Sequence, residues 1–372
     1  MLLKGRGALN NHNRVYDIVL LPGDGIGPEV IKEAVKVLKA TGNRFDIGFN
    51  LIEAPVGGTA IEETGSPLPA ETIELCKKHK NILFGAVGAS KWDDLPSEKR
   101  PERAILGLRR ELNLYANIRP IYLFPSIIEY SPLKSEILKT GIDIIIIREL
   151  TGDIYFGEPR FRKITENGCR AIDTAVYNDY EIERIAITAF NIARKRKKKV
   201  TSVDKANVLE TSRLWRETVN KVSKDYNDVV LEHQYVDNCA MQLILNPAQF
   251  DVILTGNMFG DILSDEASVL AGSIGFIPSA SLGGEEALYE PIHGSAPDIA
   301  GQKKANPIAS ILSVGMMFKY SFNMPEADKL IKNSVNSVLE EDFNTSDSSC
   351  GNCKIVDTET MGDLIVEKIK KM

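Results

Sequence analysis

Residues 142–147 are isoleucine at every position except Asp143. An apolar run of this length that does not alternate with polar residues is typical of a strand buried on both faces, as in a parallel sheet covered by helices. Shorter apolar runs of the same kind occur at residues 18–21, 82–84 and 252–254. Because helix-like segments separate these runs, the sequence predicts an α/β fold.

The first of these units has a strand at residues 18–21, a glycine-rich loop at 22–27 and a helix that begins near Pro28. The loop does not match the dinucleotide-binding pattern G-x-G-x-x-G, because Pro28 stands where the last glycine is required. Its glycines still allow the backbone to pass close to another group. We therefore predict a tight strand-to-helix turn and not an ordinary Rossmann site.

The chain has 372 residues, a formal net charge of −6 and 43% hydrophobic residues. This length indicates two domains, and the acidic balance argues against a general nucleic-acid binder. No apolar run reaches the ~18 residues of a membrane span. The basic run at 194–199 follows a helical pattern, and we interpret it as the cationic end of a helix, with a localisation or polyanion-binding signal as the alternative.

Five cysteines and a polar start without an apolar leader segment predict a cytoplasmic protein with reduced thiols. The residues before the first strand are expected to be a frayed tail. Cys350 and Cys353 form a lone C-x-x-C pair, which lacks the second pair that a structural zinc site requires. We interpret them as loop thiols, and a redox-sensing pair is the alternative.

Asp261 and Asp265 are four residues apart at the start of a predicted helix, spanning 262–271. This spacing places both carboxylates on one helical face, where they would repel each other unless a cation lay between them. Oxygen ligands favour Mg²⁺ or Mn²⁺. From spacing alone, two solvent-facing acids in a helical first turn explain the pattern as well.

Three arginines, Arg109, Arg119 and Arg148, lie in polar segments, and Arg148 directly follows the apolar run. Guanidinium groups bind carboxylates through two hydrogen bonds, so converging arginines would indicate a di- or tricarboxylate ligand. Each arginine taken singly would be a surface ion-pair partner. Lys205 follows a predicted strand at 200–203, and a partly buried lysine near other cations can act as a base.

Six segments together resemble one family, the metal-dependent β-hydroxyacid oxidative decarboxylases that include isocitrate and 3-isopropylmalate dehydrogenases. The resemblance runs from about residue 18 to residue 364. Its segments are LPGDGIGPEV, LRRELNLYANIRP, RELTGDIYFGEPR, TSVDKANVLETSRLWRE, TGNMFGDILSDEAS and EPIHGSAPDIAG.

The resemblance implies a role for each residue of the site. Arg109, Arg119 and Arg148 would bind the carboxylates of the substrate, and Asp237 would also touch the substrate. Asp261 and Asp265 would bind Mg²⁺ or Mn²⁺ together with Asp237. Lys205 would accept the hydroxyl proton, and Tyr155 would protonate the enol. In the family, Lys205 and Asp237 reach the site from a second subunit, which implies a homodimer with shared active sites.

The resemblance also implies a nicotinamide cofactor. Asp298 would accept hydrogen bonds from the adenosine ribose, and its charge would repel the 2′-phosphate of NADP, so NAD is the predicted cofactor. The residues expected around it are Ile26, Gly88, Glu290, His293, Gly294, Ser295, Ala296, Pro297, Asp298, Ile299 and Asn306.

Substrate choice depends on Ile105 and Leu106, which stand where isocitrate enzymes of the family place polar residues. Val208 would extend this apolar wall. A third carboxylate would be desolvated and unpaired there, so the resemblance implies 3-isopropylmalate and leucine biosynthesis, a branched-chain amino acid pathway. Isocitrate, homoisocitrate, malate and tartrate remain alternatives, as does a non-catalytic regulatory subunit.

The fold that the resemblance implies is α/β, similar to isopropylmalate dehydrogenase, with two discontinuous domains and a central cleft. The first domain would combine residues 1–118 and 272–372 and carry most cofactor contacts. The second would comprise residues 119–271 and carry the metal ligands and the dimer contacts.

Overall fold

The computed structural model of the protein describes residues 14–348 and 353–372, so residues 1–13 of the predicted N-terminal tail and Cys350 lie outside the described residues. Residues 14–17 of that tail belong to the first strand instead. The chain divides into two compact units. The insert unit contains Tyr115–Ile121 and Leu133–Leu270. The terminal unit contains residues 14–114, Tyr122–Pro132 and the described part of Ala271–Met372. Segment Tyr122–Pro132 thus belongs to the terminal unit, whereas the predicted boundaries placed it in the second domain.

The described residues form fourteen strands and eleven α-helices. The strands are β1 (Arg14–Gly23), β2 (Ile47–Glu53), β3 (Asn81–Ala86), β4 (Ala116–Tyr122), β5 (Asp143–Glu149), β6 (Phe161–Thr165), β7 (Gly168–Ile172), β8 (Lys199–Asp204), β9 (Val230–Tyr235), β10 (Val252–Thr255), β11 (Pro278–Leu282), β12 (Ala287–Pro291), β13 (Phe343–Asn344) and β14 (Lys354–Ile355). The helices are α1 (Gly27–Arg44), α2 (Gly57–Thr64), α3 (Ala70–His79), α4 (Arg103–Glu111), α5 (Asp179–Ala193), α6 (Glu210–Ser223), α7 (Val236–Leu245), α8 (Asn257–Leu270), α9 (Ile308–Tyr320), α10 (Pro325–Leu339) and α11 (Thr358–Lys371).

The insert unit contains a sheet with the strand order β4-β5-β10-β8-β9. The pairs β5–β10, β10–β8 and β8–β9 are all parallel. Residues 144–149 of β5 are all buried, which confirms the prediction of a strand covered on both faces. A separate antiparallel hairpin, β6–β7, also belongs to this unit.

The terminal unit contains a sheet with the order β2-β1-β3-β12-β11. The pairs β2–β1, β1–β3 and β3–β12 are parallel, and β11 runs antiparallel to β12. Helix α9 is apolar on nearly all sides and buried from Ile308 to Phe318. A helix of that kind has to lie inside a core, and α9 packs against α1, α10, β11 and β12.

The basic run directly follows a helix, as predicted, and its two arginines form ion pairs. Helix α5 ends at Ala193, and Arg194 pairs with Asp228 at 2.7 Å. Arg196 pairs with Asp143 at 2.9 Å and with Asp251 at 2.7 Å. These ion pairs account for the two arginines of the run within the fold of the insert unit.

Helix α8 starts at Asn257, five residues earlier than the sequence pattern indicated. Asn257 and Gly260 in its first turn are poor helix formers, which is why the start was not predicted. None of the helices formed by residues 14–348 and 353–372 is both long enough and apolar enough to span a membrane.

Candidate active site

In the insert unit, polar residues lie together at the carboxyl ends of the parallel strands. Thr255 at the end of β10 lies opposite Arg148 in β5 and opposite Val203 in β8. Because these strands are parallel, Arg148, Lys205 and the start of α8 all lie at their carboxyl ends. Ligands of α/β sheets bind at this edge.

Arg148 is only 2% exposed although it carries a full charge. Its Nη1 donates to a carboxylate oxygen of Asp261. The hydroxyl of Tyr155 donates to the other oxygen of Asp261 at 2.8 Å, and the guanidinium lies 5.7 Å from the Tyr155 ring. Asp261 therefore connects a cation and a phenol in one cluster.

Arg119 forms the second half of this cluster. Its Nε donates to Asn117 at 2.7 Å, and its Nη1 donates to Ser264 at 2.6 Å and to Asp265 at 3.2 Å. The same Nη1 lies 3.8 Å from Asp261. Arg119 thus contacts both carboxylates of α8, which confirms that the four-residue spacing places them on one face.

The surroundings change the acidity of two groups in the cluster. Burial raises the pKa of Tyr155, and the hydrogen bond to Asp261 raises it further. Burial also raises the pKa of Asp265, and the charge of Arg119 opposes that shift. Tyr155 is therefore protonated at neutral pH and is a weaker acid than a free phenol, so it would give its proton only to a strongly basic group.

Lys205 and Asp237 form a separate pair within the insert unit. The ammonium donates to the Asp237 carboxylate at 2.5 Å, and this hydrogen bond lowers the pKa of Asp237. Lys205 directly follows β8 and Asp237 lies in the first turn of α7, after β9. The side chain of Asp237 is 62% exposed, so its other carboxylate surface is accessible to groups outside this chain.

The donor set at α8 suits a divalent cation but is incomplete. Asp261 and Asp265 provide hard oxygen ligands, yet the described residues contain no group of three His, Cys, Asp or Glu side chains that could hold a metal ion. Asp237 therefore does not join the two aspartates of its own chain.

In the terminal unit, the loop after β1 is organised by Asp24. Its buried carboxylate accepts hydrogen bonds from the backbone amides of Gly58 at 2.8 Å, Thr59 at 2.9 Å and Gly88 at 2.8 Å. One side chain thus joins the loop, the first turn of α2 and the end of β3. Gly88, a predicted cofactor residue, has its amide fixed by Asp24.

The same loop lies directly against the predicted cofactor segment. The amide of Ile26 donates to the carbonyl of Ser295 at 2.8 Å, and the Ser295 hydroxyl donates to the carbonyl of Gly88. Gly25 has a φ of +58°, and a Cβ there would lie 2.1 Å from the Ser295 carbonyl oxygen. Gly25 is therefore required for the close approach of this loop to the segment of Ser295.

The other predicted cofactor residues of this unit vary in exposure. Asp298 is exposed, whereas the Nε2 atom of His293 is buried and has no hydrogen-bond partner among the described residues. Burial lowers the pKa of His293, which keeps the ring neutral. The buried ring nitrogen and the exposed carboxylate provide polar groups for a ligand. Gly294 and Pro297 are exposed, and Ala296 and Ile299 are partly buried.

Two predicted residues are bound by protein groups instead. Asn306 is 1% exposed; its Nδ2 donates to Ser348 at 2.8 Å and its Oδ1 accepts from the amide of Ile308 at 2.9 Å. Glu290 accepts a hydrogen bond from Arg109 at 3.3 Å. Asn306 thus stabilises the start of α9, and the charge of Arg109 is paired within the terminal unit.

The predicted apolar residues lie in both units. Ile105 and Leu106 are partly buried on α4, and Ile105 packs against the core of the terminal unit. Val208 lies just before α6 and is 61% exposed. Each of the three presents apolar surface that the core of its own unit does not fully cover.

Residues 17–365 match the family described as isocitrate/isopropylmalate dehydrogenase. The chain belongs to this family. Two similar proteins are the 3-isopropylmalate dehydrogenases of Carboxydothermus hydrogenoformans, 57% identical with 95% of each chain covered, and of Moorella thermoacetica, 56% identical with 96% of this chain and 100% of the relative covered. The crystal structure of isocitrate dehydrogenase from Methylococcus capsulatus has a TM-score of 0.85 and 35% identity, and covers 95% of this chain and 99% of that one.

Three further residues, Asp24, Glu149 and Asn257, have structural contacts that the sequence did not predict. Glu149 is fully buried and accepts hydrogen bonds from the amides of Thr151 at 2.9 Å and Gly152 at 2.8 Å. The partners of Asp24 and Asn257 are distant in the chain.

Proposed function

We propose that this protein catalyses the metal-dependent oxidative decarboxylation of 3-isopropylmalate to 4-methyl-2-oxopentanoate with NAD as oxidant, a step of leucine biosynthesis. The observation that supports this most is the cluster in which buried Arg148 contacts partly exposed Asp261 and Tyr155, beside Arg119 and Asp265. It provides cations for carboxylates, acids for a metal and a protonated phenol in one place. The names of the similar proteins support the choice of substrate.

In this proposal Arg109, Arg119 and Arg148 bind the two carboxylates of the substrate. Asp261 and Asp265 hold Mg²⁺ or Mn²⁺, and the third carboxylate is Asp237 from a second copy of the chain, since Asp237 does not join the other two within one chain. The bound cation would supply positive charge beside the substrate hydroxyl. We therefore propose a homodimer with shared active sites.

The chain's own residues move the protons. Lys205 of the second copy, which pairs with Asp237, accepts the proton of the hydroxyl group as the neutral amine, while hydride leaves the carbon that bears this hydroxyl for NAD. Carbon dioxide then leaves from the resulting β-keto acid, and Tyr155 donates its proton to the carbon of the enol. The position of Tyr155 supports this assignment because its hydroxyl lies 2.8 Å from Asp261, within the same cluster, and a phenol carries its proton at neutral pH.

NAD would be held by the carboxyl edge of the terminal unit, at Ile26, Gly88 and the segment from His293 to Ile299. The exposed carboxylate of Asp298 supports NAD over NADP, because it would repel a 2′-phosphate. In functional terms we propose that residues 1–118 and 272–372 carry most cofactor contacts and that residues 119–271 carry the metal and dimer contacts. A cytoplasmic location remains a prediction.

The apolar residues Ile105, Leu106 and Val208 would bind the isopropyl group. A third carboxylate placed among them would lose water without gaining a partner. This supports 3-isopropylmalate over isocitrate and homoisocitrate. Malate, which lacks the branched tail, would leave this apolar surface unfilled.

The test is NADH formation by the purified protein with Mn²⁺ and each of 3-isopropylmalate, isocitrate, homoisocitrate, malate and tartrate, with NAD and NADP in parallel. We expect the highest kcat/KM with 3-isopropylmalate and NAD. A higher value for another acid would refute the assignment of the apolar residues. A protein that is inactive alone but stimulates another subunit would instead be regulatory.

A further inference from the structure

Asn257 is the first residue of α8 and is 1% exposed. It follows the carboxyl end of β10, which pairs with the strand β5 of Arg148, and it begins the helix that carries Asp261. The proposed mechanism gives it no role. Its contacts, however, reach both the arginine and the loop that follows β5.

One side of the Asn257 amide contacts the guanidinium. Its Oδ1 accepts hydrogen bonds from Nε of Arg148 at 3.0 Å and from Nη2 at 2.8 Å. Two donors on one edge of a planar group fix its orientation as well as its position. Nη1 of the same guanidinium is then directed at Asp261.

The other side of the amide contacts the loop that carries Tyr155. The Nδ2 of Asn257 donates to the carbonyl of Gly152 at 3.2 Å. Tyr155 follows three residues later and donates to Asp261 at 2.8 Å. A single buried amide therefore contacts the loop and the guanidinium, both of which also contact Asp261.

Backbone contacts support this arrangement. The amide of Asn257 donates to the hydroxyl of Tyr177 at 2.8 Å, and the next amide, of Met258, donates to Asp153 at 3.0 Å. Two side chains thus hold the start of α8: Asp153, which lies in the loop that carries Tyr155, and Tyr177. Gly256 beside it allows Tyr177 to approach, since a Cβ there would lie 3.0 Å from the Tyr177 hydroxyl.

We propose that Asn257 is a positioning residue that holds Arg148 and the loop of Tyr155 in a fixed arrangement around Asp261. Its oxygen orients the group that binds substrate, and its nitrogen orients the loop that delivers the proton. The two functions belong to different atoms of one amide, so they can be separated by substitution.

Asn257→Asp keeps an acceptor for Arg148 but replaces the donor to Gly152 with a second oxygen. This variant should disturb the loop and leave the arginine contact in place. Asn257→Ala removes both contacts. The matched control is Asn191→Asp, because Asn191 is a partly buried amide of the same unit that accepts a hydrogen bond from Tyr226 at 3.4 Å.

The first measurement needs no substrate. Hydrogen–deuterium exchange of the full-length protein should show faster exchange across residues 151–157 in Asn257→Asp, by about threefold or more, which corresponds to loss of one modest hydrogen bond. Asn191→Asp should match the wild type in that segment. Unchanged exchange across 151–157 in Asn257→Asp would overturn the proposal.

The second measurement rests on the proposed function. With 3-isopropylmalate, Asn257→Asp should lower kcat about tenfold and change KM less than about twofold, whereas Asn257→Ala should also raise KM about tenfold, as expected for loss of a charged hydrogen bond. Equal effects of both variants on KM would contradict the separation of roles. If the wild type does not oxidise 3-isopropylmalate, the proposed function is wrong, and the exchange experiment still decides the role of Asn257.

Discussion

The cluster around Asp261 in the insert unit and the loop around Asp24 in the terminal unit are built differently. In the first, charged side chains contact one another: Arg148 and Arg119 both lie against Asp261. In the second, the Asp24 carboxylate accepts hydrogen bonds from several backbone amides, and glycine allows two loops to lie close to each other. The first arrangement depends on charge and the second on backbone shape.

This difference predicts which substitutions each region tolerates. In the insert unit, a change of charge should reduce the reaction while the fold survives, because the side chains lie at the ends of strands that the core already holds. In the terminal unit, an added methyl group should displace backbone and so reduce stability first. The following predictions test that contrast, beginning with the largest effect.

Lys205→Met should lower kcat for NADH formation about 10³-fold, because it removes the proposed base without adding volume. The free energy of unfolding in urea should change little, since the Lys205–Asp237 pair is at the surface of its unit. Exposed Lys221→Met serves as the control and should leave kcat unchanged. Wild-type turnover in Lys205→Met would remove the base assignment.

Gly25→Ala should reduce the free energy of unfolding by about 3 kcal/mol, because the new Cβ would meet the Ser295 carbonyl at a positive φ. Gly65→Ala is the matched control: Gly65 has a φ of +78° but nothing within 4 Å of a Cβ. Gly65→Ala should lower the free energy of unfolding by about 1 kcal/mol, which is the cost of placing alanine in the left-handed backbone conformation. Urea unfolding of both variants measures the difference, and equal losses would show that the close approach is unimportant.

Asp24→Asn should lower the free energy of unfolding by about 1–2 kcal/mol, because an amide nitrogen replaces one of the oxygens that accept backbone hydrogen bonds. Asp17→Asn removes an exposed carboxylate that pairs with His79 at 3.0 Å and should cost less than about 0.5 kcal/mol. Thermal unfolding of the two variants compares them. A smaller effect for Asp24 than for Asp17 would refute its structural role.

Glu149→Gln should change how stability depends on pH. Burial raises the pKa of Glu149, so its neutral form is favoured in the folded state. Its contribution to stability is therefore present at low pH and lost as the pH rises through the raised pKa. Relative to Glu149→Gln, the wild type should lose unfolding free energy as the pH rises above the ordinary pKa range of a glutamate carboxyl. Exposed Glu217→Gln should show no such trend, and a flat difference for Glu149 would contradict the prediction.

Much of the fold could be predicted because apolar runs mark strands directly. The strands at 18–21, 82–84, 200–203 and 252–254 are confirmed within β1, β3, β8 and β10. The spacing of Asp261 and Asp265 also predicted one shared face, which Arg119 confirms by contacting both. Local periodicity was sufficient in these cases.

The contacts of Asp24 and Asn257 could not be predicted in this way. The amides that bind Asp24 come from residues 34 to 64 positions away, and Asn257 contacts Arg148 across 109 positions. Nothing in the local sequence distinguishes such a residue from a turn aspartate or a helix cap. These roles arise only when parallel strands bring their ends together.

The order of strands in the terminal unit has a consequence for synthesis of the chain. β3 pairs with β12, yet Lys80 and Glu285, at the near ends of this pairing, are 205 residues apart. At ribosomal speed, roughly 10 to 40 seconds pass between the appearance of these two residues. During that time the edge of β3 has no permanent neighbour, and an open strand edge can pair with other chains. In the nascent chain this edge of β3 is therefore open to incorrect pairing while the insert unit is being made.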